Sequence, residues 1–147
     1  MPGTMKTLNN ISRCQAMYRK KTIAAQDLCS NHYAFVLTIC HEPGRSQDEL
    51  ARALCLDKST VARTLAHLEK YGYITRTPNE KDKRQYLVHP TEKMLDIYPK
   101  VQLTSREWNA RLMENVSPED LEVFHKVLSL MEQNAKRITE ELEVHLS

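Results

Sequence analysis

Three groups of side chains in this sequence could do chemistry. The first lies on one side of a helical pattern: Ser59, Thr60, Arg63, Ala66, His67 and Lys70 face away from Val61, Leu65 and Leu68. Small hydroxyl residues let a helix backbone come close to a grooved surface, and an arginine there reaches guanine edges or phosphates. An ordinary solvated helix face has the same pattern. The second group is Lys81, Lys83 and Arg84, in the polar run from Thr77 to Arg84. The third is made of thiols and imidazoles: Cys14, the Cys29-Ser-Asn-His32 spacing and the adjacent Cys40-His41. Cys-x-x-His suits zinc, but such a site draws on three or four converging ligands. The other His and Asp residues are scattered, so no metal is expected. There is no phosphate-binding glycine loop, nucleophile elbow or metalloprotease motif. An enzyme is therefore not expected, and no cofactor is called for.

Neighbouring elements must hold these groups in place. Ser46-Gln-Asp-Glu49 fits a capping box, and Leu50, Ala51 and Leu54 form the inner face of the helix that it opens. Leu56 and Asp57 make a turn, with Asp57 as N-cap of a helix over about 58–71. Gly72 ends that helix. Residues 73–76 and 85–89 are rich in strand formers and predict a hairpin with the basic run at its tip. A helix over about 6–28 should precede, with Leu8, Ile11, Cys14 or Gln15, Tyr18, Ile23 and Leu28 roughly on one side. Its Arg19-Lys-Lys21 run reads as a solvated face. Ser30 is the expected N-cap of an apolar second helix over 31–41, closed by Pro43-Gly44. After the hairpin, Thr91 caps a helix over about 92–115, with a kink expected at Pro99. Its expected inner face is Met94, Tyr98, Val101, Trp108 and Leu112. Ser117-Pro118 opens the last helix. There Leu121, Phe124, Leu128, Met131, Ala135 and Ile138 form a seam that needs a partner, in the same chain or a second copy.

The totals agree with a folded, mainly helical protein. Charged residues are 27% and hydrophobic residues 41%, too balanced for a disordered chain, and there are only three glycines. Net charge is only +2, yet residues 58–86 hold seven Lys/Arg against three Asp/Glu, and residues 114–147 hold eight acidic against three basic. Such asymmetry says more about partners than the total does. No apolar run is long enough to span a membrane, and the first residues lack a signal-peptide core. With no export signal, the four cysteines are expected to be reduced thiols in a cytoplasm.

In order of parts, nearly the whole chain resembles the MarR family of bacterial transcription regulators. The stretch Ser59–Arg76, STVARTLAHLEKYGYITR, resembles the family's recognition helix running into its wing. Asp82-Lys-Arg84 resembles the family's Asp-x-Arg wing signature. In the Leu-Thr-x-x-Gly that usually follows, Pro90 and Met94 replace the leucine and the glycine here.

The resemblance implies a winged helix-turn-helix with a small β-hairpin wing over residues 30–91, between dimerisation helices at 1–29 and 92–147. It implies a homodimer on a palindromic operator in double-stranded DNA, acting as a ligand-responsive repressor. Ser59, Thr60, Arg63 and Thr64 then face a major groove, His67 a phosphate, and Arg84 a minor groove with Asp82 bracing it. Arg76, Lys81 and Lys83 add further DNA contacts. An aromatic effector would lie near Tyr18, His32, Tyr33 and Trp108. Cys14 resembles the reactive cysteine of the family's peroxide-sensing branch, although Leu28 and Ser30 stand where that branch carries tyrosines. The family's zinc sensors draw histidines from the fifth helix, and residues 92–115 contain none. A redox sensor acting through Cys14 and a winged-helix adaptor for other proteins are the alternatives.

Overall fold

The computed structural model describes residues 3–23 and 27–146. Helix α1 spans Thr4–Thr22, and a 3-10 turn at Ser30–His32 leads into α2, Tyr33–His41. Strand β1 is Arg45–Ser46, followed by α3 (Gln47–Leu54) and α4 (Lys58–Lys70). Strands β2 (Ile74–Pro78) and β3 (Tyr86–Pro90) form the hairpin. Helices α5 (Glu92–Leu112) and α6 (Pro118–Leu146) complete the chain. The fold is mainly helical with a small antiparallel sheet, as expected from the sequence. It forms two compact units, one running to Asn109 and one from Ala110. No helix among the described residues is long and apolar enough to cross a membrane.

In the first unit the apolar faces of α2, α3, α4 and the start of α5 close over one core. Tyr33, Phe35, Val36 and Ile39 from α2 meet Leu50 of α3, and Val61, Leu65 and Leu68 of α4. Ile74, Val88, Met94 and Val101 belong to the same cluster. The α4 residues are four and three apart, so they share one stripe, and all three are fully buried. Burying each such side chain is worth about 1.5–3 kcal/mol.

Local signals fix the ends of the central helices. Ser46 Oγ accepts from Glu49 N at 3.2 Å, and Glu49 Oε2 accepts from Ser46 N at 2.9 Å, closing the capping box. Cys55 adopts the left-handed conformation at φ 53° and turns the chain between α3 and α4. Gly72, at φ +78°, ends α4 in a Schellman motif: Tyr73 N donates to Leu68 O and Gly72 N to Glu69 O. A side chain at this φ would be strained.

The sheet is larger than the expected hairpin, because β1 adds a third strand in the order β1-β3-β2. Arg45 pairs with Val88 and Ser46 with Leu87. At two residues, β1 is too short to leave an alternating pattern. It ties the entry of α3 to the wing.

The first helix is shorter than expected. It stops at Thr22, and Ile23 is extended at φ −118° and ψ 106°. Ile23 and Leu28 are both buried in the core, which draws them off the helix line. Residues 24–26 of the expected helix lie outside the described residues. Ser30 is not a helix N-cap. It opens the 3-10 turn, and Cys29 N donates to His32 Nδ1 at 3.2 Å. In α5, Met94, Val101 and Thr104 are buried, and Tyr98 and Trp108 are half-buried. Pro99 sits inside the helix and withholds the donor that would reach the Leu95 carbonyl.

The second unit holds α6. Ser117 Oγ accepts from Asp120 N at 3.1 Å and caps it. None of its described residues is buried in the single chain. Phe124 is 43% exposed and Ile138 50%.

Candidate nucleic-acid interface

The first turn of α4 is organised by Asp57. Its Oδ2 caps Thr60 N at 2.8 Å, its Oδ1 accepts from the Thr60 hydroxyl at 2.7 Å, and Ser59 Oγ donates to Oδ2. The Ser59 hydroxyl first, and then that of Thr60, hold the Asp57 carboxyl well below the usual carboxylate range. With their protons given to Asp57, the two hydroxyl oxygens turn only lone pairs outward. Arg63, one turn on, is exposed and reaches Thr60 Oγ1 at 3.3 Å. Thr64 is half-buried. The N-cap role of Asp57 was legible in the sequence, but its grip on both hydroxyls was not.

Two side chains expected at the same surface turn elsewhere. Nε2 of His67 donates to the Asp27 carbonyl at 2.7 Å. Its ring stacks on His32 and Tyr71, each at a centroid distance of 4.6 Å. The nitrogen that could meet a phosphate is thus directed to the backbone before α2. The Arg76 guanidinium lies beside Glu69, with Nε 3.3 Å from Oε2, and Nε itself is buried without a hydrogen-bond partner. This pair joins β2 to α4.

The wing is compact at its base and charged at its tip. Asn79 N donates to Gln85 O at 2.9 Å, and Gln85 N to Asp82 O at 3.0 Å. Asp82 Oδ1 accepts from Arg84 N at 3.1 Å, a side-chain turn that sets the backbone on which Arg84 is carried. Lys81, Lys83 and Arg84 are exposed. Arg76, Asp82 and Arg84 also line a concavity of about 320 Å³ with Asp48 and Tyr86. Thr91 Oγ1 donates at the base to Gly72 O at 2.6 Å, and Thr91 N donates to Tyr73 O at 3.0 Å.

The residues considered for an effector divide into two places. Tyr18 and Trp108 stack at 5.4 Å. Tyr33 is buried, donates to Arg19 O at 3.0 Å and has the Arg19 guanidinium 5.2 Å from its ring centroid. Burial pushes its phenol up to about 12. His32 is buried with His67 instead. Burial first, and then the neighbouring His67, lower its pKa. Cys14 is exposed on α1, and the four cysteines are free thiols. Cys40 is half-buried, and burial raises its thiol to about 11.

A helix-turn-helix whose second helix runs into a sheet with a basic hairpin tip is a winged helix-turn-helix. Known proteins agree with that class. The sequence pattern of the MarR family matches residues 29–86. An uncharacterised HTH-type transcriptional regulator, YybA, of Bacillus subtilis (strain 168) is 28% identical over 111 residues, 76% of this chain and 74% of the relative. The structure of a MarR transcriptional regulator from Methanosarcina mazei Go1 superposes with a TM-score of 0.80 at 28% identity, covering 90% of this chain and 96% of that one. A MarR family regulator from Listeria monocytogenes, complexed with 26mer DNA, has the same fold with a TM-score of 0.84. It is 23% identical, with 91% of this chain and 89% of that chain covered. Residues 29–86 belong to the MarR family, and the chain is a winged helix-turn-helix, DNA-binding transcriptional regulator and not an enzyme.

Proposed function

We propose that the chain acts as a homodimeric repressor on a roughly palindromic operator. The reading rests on one observation: the exposed Ser59 and Arg63, with the half-buried Thr60 between them, open a helix that runs directly into a basic wing. Two copies of α4 enter successive major grooves about 34–36 Å apart, and the wings reach the flanking minor grooves. Arg63 supplies donors for guanine edges, Ser59 and Thr60 supply acceptors for base amino groups, and Thr64 packs beside them. Arg84 enters the minor groove from the backbone that Asp82 holds, and Lys81 and Lys83 attract phosphates. His67 and Arg76 serve from behind, by fixing the helix and the strand. The MarR family regulator that carries DNA in its structure supports this use of the fold.

The functional division follows: residues 30–91 read DNA, and 1–29 with 92–147 hold two copies together. Support comes from α1 and α6, which have no buried residue in the single chain yet expose Met5, Met17, Val127 and Ile138. An aromatic effector at Tyr18, Trp108 and Tyr33 would act by altering the spacing of the two reading heads. In this reading Cys14 is a bystander. Fluorescence anisotropy against duplex DNA over a salt series tests the proposal. Affinity should fall steeply with salt through counterion release. Arg84→Ala should weaken operator binding by about 1–3 kcal/mol. An unchanged dissociation constant for that variant would refute the wing assignment.

A further inference from the structure

Residue 27 belongs to neither reading element, yet three distant parts of the first unit converge on it. Its carbonyl accepts from His67 Nε2 in the last turn of α4, at 2.7 Å. Its Oδ1 accepts from the Tyr73 hydroxyl at 2.8 Å, at the entry to β2. Its Oδ2 accepts from Lys93 Nζ at 2.8 Å, in the first turn of α5. Lys93 Nζ also donates to Tyr71 O at 2.7 Å and lies 4.3 Å from the Tyr73 ring centroid. These partners are 40, 46 and 66 residues from Asp27 along the chain. We infer that Asp27 is a positioning residue for DNA reading, one that fixes the angle at which α4 presents its N-terminal turn. The inference rests on the reading of α4 as the recognition helix.

The lever arm sets the size of the effect. At 1.5 Å per residue, the 13 residues of α4 span about 20 Å, so a tilt of about 10° at the anchored end moves the reading end by about 3 Å. Hydrogen bonds to base edges fail within a fraction of that. Contacts to phosphates through long, flexible lysines tolerate it. A loosened anchor therefore removes selectivity before it removes affinity. The Lys93 hydrogen bond first, and the Tyr73 hydroxyl with it, hold the Asp27 carboxyl below its ordinary value, so the knot is charged at neutral pH.

Two mild variants cut the same link from opposite sides. Asp27→Asn keeps a carbonyl acceptor for Tyr73 and loses the charge that holds Lys93. Lys93→Met removes the cation, and Lys93→Arg restores it. The full chain first selects a duplex from a random pool, and anisotropy then compares that duplex with a scrambled one of the same composition. Asp27→Asn and Lys93→Met should each lose about tenfold in affinity for the selected duplex and less than about twofold for the scrambled one. The salt slope should stay unchanged, Lys93→Arg should recover binding, and the double variant should be no worse than the weaker single. Equal losses on both duplexes, or no loss on either, would overturn the positioning role. A wild-type chain that selects no duplex would instead remove the reading of α4 on which the inference stands.

Discussion

Helices α4 and α6 carry the same kind of pattern, apolar residues three and four apart, and end in opposite states. In α4 the stripe of Val61, Leu65 and Leu68 is fully covered by the chain's own core. In α6, 29 residues long, none of the described residues is buried and Leu130, Ile138 and Leu142 are more than half or about half exposed (58%, 50% and 57%). An amphipathic period says that a helix needs a cover and not whose cover it is. Helix α4 is completed within one chain. The last helix waits for a second copy in the function proposed here.

That contrast can be broken at either end. The largest effect is expected inside the first unit, where Leu65→Ala should cost about 2–5 kcal/mol of stability in urea unfolding. The loss should not depend on protein concentration, since no partner covers that residue. Next comes Leu128→Asp in α6, which should weaken self-association at least about thirtyfold in sedimentation equilibrium, as a hot-spot residue does. The first unit should keep its helical signal. A dimer of unchanged affinity would show that this face is not the seam.

The smallest effect is a slope with pH. The pKa of His32 is lowered in the fold, so below 6.5 the unfolded chain takes up the proton first. The stabilisation is therefore present above pH 6.5 and lost as the pH falls through the folded value. Urea midpoints for the wild type should drop on acidification through that window. In His32→Asn, which keeps an acceptor for Cys29 N, the drop should shrink, and an equal slope in the variant would contradict the assignment.

What could be read from the sequence was local. The Ser46–Glu49 box, the Asp57 cap, the stop at Gly72 and the seams all depend on residues within about four positions of each other, where spacing carries the physics. The family resemblance joined these pieces into a winged helix-turn-helix. What escaped depends on long-range contacts. Strand β1 exists only because Val88 and Leu87 lie beside it. Helix α1 ends early because the core takes Ile23 and Leu28. His67 looks like a surface histidine until the carbonyl 40 residues before it is in place. Asp27 gives no local signal, since each of its side-chain partners is more than 40 residues away.

Thr91 closes the wing at its base, 19 residues along the chain from the Gly72 carbonyl that it meets. Because the two ends are pinned together there, and again by the Asn79–Gln85 bond nearer the tip, the turn between them can lengthen or shorten at little entropic cost. In the function proposed here, residues added at the tip would extend the reach along the minor groove and leave the seat of α4 undisturbed. Wing length is thus free to vary over evolution separately from the sequence that the helix reads. A regulator of this build can acquire a longer or shorter footprint without changing the bases it prefers at the centre of each half-site.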